Sequence, residues 1–178
     1  HVTVATLYSV NHRLKDNAGR IELETFWRQA MDRAARMPDW PALPLVLTID
    51  RTQIGERAGI LLWNETTGGL DKMRKCIAQA TRLTATERRS DDFSIDKTTL
   101  SIPPIAHSTF LRFPNAPLTD GSVLQENYSH VSKAIKDIFP ASVELSDAKL
   151  VCEKTPYMHI PADERYVLAS YPVGSNGS

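Results

Sequence analysis

The sequence predicts an α+β fold of two pseudo-symmetric β-α-β-β lobes, mainly antiparallel sheets with helices outside and a central cleft. Three observations carry that expectation. The hydrophobic period switches repeatedly between two and about 3.6 residues, the same order of elements occurs twice, and each occurrence opens on His-x-Thr, at His1-Val2-Thr3 and His107-Ser108-Thr109. At 178 residues the chain has the length of one ordinary domain with a single core. The whole of 1–178 therefore reads as one bilobal domain: lobe one over about 1–63, a linking helix over 70–83, and lobe two over about 105–172.

His1 to Val10 is β-rich and predicts the first strand. Leu23, Phe26, Trp27, Ala30, Met31 and Ala34 then recur at helical spacing, which predicts an amphipathic helix over about 22–37, stopped by Pro38, Pro41 and Pro44. Leu45, Leu47 and Ile49 alternate with Val46, Thr48 and Asp50 as a half-buried strand does. Gly55-Glu56-Arg57 turns the chain, and Ala58 to Trp63 returns. After Gly68-Gly69, the residues Leu70, Met73, Ile77, Ala80 and Leu83 mark the linking helix, and polar 84–103 reads as a loop. The pattern then restarts. A strand (Ile105 to Phe113) precedes a helix carrying Leu124, Tyr128, Val131, Ile135 and Ile138, a strand from Val143 to Cys152, and a last strand from Tyr166 to Tyr171.

Charge and composition narrow the function classes. Lys plus Arg equals Asp plus Glu, at 21 each, so no basic surplus argues for a long duplex or an anionic membrane surface. A small ligand fits better. No apolar run approaches the roughly 20 residues that span a bilayer, and the charged residues Arg13, Lys15, Asp16 and Arg20 break any signal-like start. Cys76 and Cys152 fit buried apolar positions, with no zinc spacing, so a reducing, intracellular and cytoplasmic setting is expected, with no metal and no cofactor.

On a strand, residues i and i+2 share a face. His1 with Thr3, and His107 with Thr109, would then project together, and a pseudo-twofold axis would set both pairs across one cleft. Two imidazoles so placed suit in-line displacement at phosphorus: one takes a proton from water, the other protonates the leaving ribose oxygen. The threonine hydroxyls can donate to the non-bridging oxygens.

HVTV and HSTF resemble the motif of the 2H phosphoesterase superfamily, which includes LigT-like 2′–5′ RNA ligases and cyclic nucleotide phosphodiesterases. HSTFLR also resembles that family's second motif, which often holds a basic residue where Arg112 stands, and the run from Val143 to Val173 resembles its closing strand pair. The resemblance implies acid/base roles for His1 and His107, with Thr3 and Thr109 holding phosphate. It also implies a metal-independent phosphodiesterase acting on a nucleotide 2′,3′-cyclic phosphate or a 2′–5′ phosphodiester. The implied partner is a small nucleotide or a short RNA end, taken by a monomer. Which histidine is acid and which is base stays open. Family members carry a strand and a helix before the first motif, whereas this sequence starts on His1. That leaves three readings: a piece of a longer protein, a shortened lobe, or a His1 left by a cleaved tag, which would favour a non-catalytic nucleotide-binding module.

Other candidates stand beside these. Strict alternation puts Arg112 on the face opposite His107 and Thr109, so a bulge would be needed to bring it to phosphate. Tyr157 could stack on a base, with His159 near it, and Trp63 could line the cleft from its strand end. His12 and His130 read as solvent-facing, and Trp27 as core. The run from Glu87 to Asp92 reads as a solvated loop or as a lid using Arg88 and Arg89.

Overall fold

A computed structural model describes residues 2–7, 17–42, 44–54, 58–88, 100–112, 126, 128–130, 133–135, 142–152 and 166–173. It is α+β. The elements run α1 (Asn17–Ala35), β1 (Leu45–Ile54), β2 (Ala58–Glu65), α2 (Gly69–Glu87), β3 (Ala106–Arg112), β4 (Ser142–Leu145), β5 (Asp147–Val151) and β6 (Val167–Pro172). Residues 126, 128–130 and 133–135 are helical as well. The chain divides into two compact units: residues 1–3, 46–67 and 103–144 form one, and 4–45, 68–102 and 145–178 the other.

The helical unit is built on the apolar stripe of α1. Leu23, Phe26, Trp27, Ala30, Met31 and Ala34 are all buried, with Phe26 and Trp27 edge to face at 4.9 Å between ring centroids. The helix starts five residues before the expected 22, because its first turn, Asn17 to Arg20, adds nothing to the buried stripe that marks the rest, and it carries the Arg20–Glu24 pair (3.8 Å). Beyond Ala35 the chain tightens into i→i−3 bonds, Arg36 N–H to Arg33 and Met37 N–H to Ala34.

α2 follows Gly68, whose φ of 74° is left-handed and suits glycine. Leu70, Met73, Cys76, Ile77 and Ala80 are buried as the periodicity requires. Leu83 is exposed, however, and Thr84 takes the buried position. The helix runs on to Glu87, so the first residues of the expected 84–103 loop are helical. Nothing in Thr84-Ala85-Thr86-Glu87 breaks a helix, and its end is anchored on α1. There the Arg33 guanidinium donates to both Glu87 carboxylate oxygens at 2.7 Å, Arg88 Nε donates to Gln29 (2.9 Å), and the Arg88 guanidinium lies 5.9 Å over the Phe26 ring.

The antiparallel β5–β6 pair belongs to this unit. Arg28 of α1 donates to the Leu168 carbonyl, and the Trp40 indole donates to the Pro172 carbonyl at 3.0 Å. The expected single strand over 143–152 is thus two strands broken at Ser146 and placed in different sheets. Ser146 is where the ladder hands over, its carbonyl accepting from Val173 N–H (2.7 Å).

The other unit holds a four-stranded sheet in the order β3-β2-β1-β4, with β1–β2 and β2–β3 antiparallel. One face packs on the helical residues near 128: the Phe110 ring stacks on Tyr128 (6.4 Å, 18°), with Leu47, Leu61, Ala106 and Ile135 also buried. This sheet joins strands from both expected lobes, and α1 groups with α2 rather than with β1 and β2. The described strands therefore do not pair as two equivalent lobes would.

The expected first strand over 1–10 is not formed in its described part. Val2 to Ala5 have no regular structure, and Thr6 makes one isolated bridge to Ser101, with two bonds of 2.8 Å. A β-rich composition yields a strand only where a ladder partner is available. No described helix is long and apolar enough to cross a membrane.

Candidate functional site

In an antiparallel pair, directly opposed residues share a face, and successive residues alternate. The β2–β3 register is Leu62 with His107, Leu61 with Ser108, Ile60 with Thr109, then Gly59 with Leu111 and Ala58 with Arg112. Phe110 is the extra residue, a β-bulge. Because of it, His107, Thr109 and Arg112 all fall on the face of Leu62, Ile60 and Ala58. The odd spacing that would have separated Arg112 from the motif is cancelled by one inserted residue.

A second bulge lies on β1. Ile49 opposes Trp63 and Arg51 opposes Leu62, so Asp50 is the extra residue. Leu45, Leu47 and Ile49 continue to position 51 on the core side if alternation is strict. The bulge instead turns Arg51 to the face of Leu62, and Gln53 follows opposite Ile60. Burying a guanidinium among Leu47 and Leu61 would be expensive, and the bulge avoids it. Three parallel rows result on one sheet face: His107, Thr109 and Arg112 on β3; Leu62, Ile60 and Ala58 on β2; Arg51 and Gln53 on β1. Thr109, Arg112, Arg51 and Gln53 are exposed, His107 and Ile60 are half-buried, and Leu62 is buried.

His107 has a further property. Its Nδ1 is withdrawn from solvent and has no hydrogen-bond partner among the described residues. Polar atoms left in that state in a native fold call for an explanation, and a catalytic or ligand-binding role is one of the established ones.

Trp63 sits on the opposite face, with Leu61 and Gly59, and its indole donates to Ser108 Oγ at 2.9 Å. It does not line the His107 face. Thr3 is half-buried and outside any strand, so the i, i+2 argument does not apply to it; it belongs to the same compact unit as β3. The chain just after Thr3 is held from α2, where buried Arg74, 3.5 Å from Asp71, donates from Nε to the Val4 carbonyl at 3.4 Å. His1, Tyr157, His12 and His159 lie outside the described residues. His130 is exposed as expected. Arg88 is engaged with Gln29 of α1, and Arg89 to Asp92 are outside the described residues.

Arg51 and Gln53 were not singled out from the sequence. The signal was there: a charge at the next apolar-face position of Leu45-x-Leu47-x-Ile49-x-Arg51 asks for a bulge. No family model, curated protein or solved structure matches the chain.

Proposed function

We propose that this chain is a metal-independent phosphodiesterase that opens a nucleotide 2′,3′-cyclic phosphate or cleaves a 2′–5′ phosphodiester, acting as a monomer on a small nucleotide or a short RNA end. The observation that carries the reading is the Phe110 bulge, which brings Arg112 to the face of His107 and Thr109. An imidazole, a hydroxyl and a guanidinium on one strand face are the groups a phosphodiester requires. The guanidinium binds the anion, the hydroxyl donates to a non-bridging oxygen as charge develops there, and the imidazole moves a proton.

The second imidazole is assigned to His1 and a second hydroxyl to Thr3, following the motif resemblance. In this reading the two rings stand on opposite sides of one phosphorus, as in-line displacement requires. Water then attacks phosphorus while one ring takes its proton. The P–O bond to the ribose breaks, and the other ring protonates the departing oxygen.

The test is hydrolysis of nucleoside 2′,3′-cyclic phosphates in EDTA. Wild-type turnover should persist, and His107→Ala should reduce kcat by about 10²–10⁴-fold, the usual contribution of a positioned acid or base. Wild-type rates in His107→Ala would sink the mechanism.

A further inference from the structure

The Asp50 bulge on β1 does for Arg51 what the Phe110 bulge does for Arg112, and the mechanism above makes no use of Arg51. The row pairing is explicit: Arg51 opposes Leu62, which opposes His107, and Gln53 opposes Ile60, which opposes Thr109. Two inter-strand spacings, about 10 Å, separate the outer rows. Between them lie buried Leu62 and the half-buried Ile60 and Ala58, the last two forming an apolar strip one side chain wide.

We infer that this sheet face takes a nucleotide with two phosphate groups, the reacting one over His107 and Thr109 and a second one held by Arg51 and Gln53. The inference rests on the phosphodiesterase reading for the first phosphate only. The chemistry of the three rows matches the chemistry of such a ligand. Anion-binding groups stand at both rims, and the ribose with its base needs an apolar surface to lie on, which half-buried Ile60 and Ala58 supply. Arg51 is an exposed side chain paired with Asp50 at 2.7 Å, with 66% and 49% of the two side chains accessible. A pair so open to water contributes little to stability, so a phosphate can take the guanidinium from Asp50 at small cost. Planar, bidentate recognition of phosphate is what the guanidinium does best. Mononucleosides with only the cyclic phosphate therefore leave one rim unused.

The second phosphate can be a 5′-phosphate, as on an oligonucleotide end, or part of a diphosphate, as in an ADP-ribose cyclic phosphate. Equilibrium titration of the full chain separates these sources and does not depend on turnover. The probes are adenosine 2′-monophosphate, adenosine 2′,5′-bisphosphate and ADP-ribose 2″-phosphate. Wild type should bind at least one two-phosphate probe about ten-fold more tightly than the monophosphate, the scale of one charge-assisted contact. The tighter of the two names the source. Arg51→Gln should bring that ratio close to one, while Arg20→Gln, a surface arginine on α1, should leave it near ten. A ratio near one in wild type, or one that survives in Arg51→Gln, overturns the second subsite. Loss of cyclic phosphate hydrolysis in the turnover assay while the ratio behaves as stated would overturn the enzyme reading and keep the subsite.

Discussion

Replacing Gly59 by alanine tests the bulge on which the site depends. A Cβ at Gly59 would stand 3.0 Å from Phe110 Cζ, 3.3 Å from Leu111 Cβ and 3.4 Å from Phe110 Cε1. The ring has little freedom to retreat, because Tyr128 stacks on it at 6.4 Å and is itself buried. Leu111 Cβ is fixed to the backbone, so β2 and β3 must separate by a few tenths of an ångström at the point where their register shifts. Overpacking of this kind costs about 1–3 kcal/mol. For a chain of this length each kcal/mol lowers Tm by about 2–4 °C, which places Gly59→Ala roughly 2–12 °C below wild type.

The cause can be isolated by a double-mutant cycle in urea, scored at the unfolding midpoint. Phe110→Leu removes the outer ring atoms, leaving only the Leu111 contact to oppose the new methyl. The Gly59→Ala penalty should then shrink by about 1 kcal/mol, a coupling expected of residues in contact. Two results would refute the reasoning: a Gly59→Ala protein within about 0.3 kcal/mol of wild type, or a penalty that is the same with and without the Phe110 ring. The same variant carries a functional consequence. Separating β2 from β3 at the bulge displaces Arg112 relative to His107, so on the proposed function adenosine 2′-monophosphate should bind more weakly in folded Gly59→Ala protein.

Other expectations follow from the helical unit. One guanidinium nitrogen of Arg33 reaches both Glu87 oxygens, but the Glu87 side chain is 63% exposed, so the coupling energy should be about 0.5–1 kcal/mol and should fall in 1 M salt; a coupling unchanged by salt would contradict this. Tyr171 is raised to about 12, first by burial and then by the Asp32 carboxylate. Folding holds its phenol neutral, so that stabilisation is complete below about pH 10 and fades as pH rises to about 12. Urea midpoints should drop across that window less steeply in Tyr171→Phe than in wild type. Cys76 is buried, and burial, then Asp39, push its thiol up, whereas Cys152 is half-buried. Native alkylation followed by peptide mapping should therefore label Cys152 first.

How much of this the sequence disclosed depended on what decides each feature. α1 and α2 were legible because six and five apolar residues at helical spacing bury one face whatever surrounds them. β1, β2 and β3 were legible because alternation along a strand is local. The first segment was misread, since Val2 to Thr6 look like a strand but need a neighbour, and only Thr6 finds one, at Ser101. The 143–152 run was misread for a related reason. Its composition is uniform, and the break at Ser146 exists only because the two halves pair with different sheets. The grouping of elements into units is decided entirely by such long-range pairing. An internal repeat in element order does not reveal it.

The candidate site shows the same division in sharper form. His107 and Thr109 could be placed together from spacing alone, because residues two apart share a face where no bulge separates them, and none lies between these two. Arg112 and Arg51 could not, because each lies an odd step from the face it joins unless a residue is inserted. Both insertions, Phe110 and Asp50, have a physical reason. At Phe110, the large ring must reach Tyr128 while the chain also passes Gly59 closely. At Asp50, the next residue in the apolar register is an arginine. A bulge lets a strand satisfy a core on one side and still deliver a charge to the other. Two bulges on the strands flanking β2 deliver their charges to the same side, onto the face that carries the histidine. On the proposed reading that placement is what matters, because two guanidinium groups on the face of an imidazole are what a bound phosphate would use.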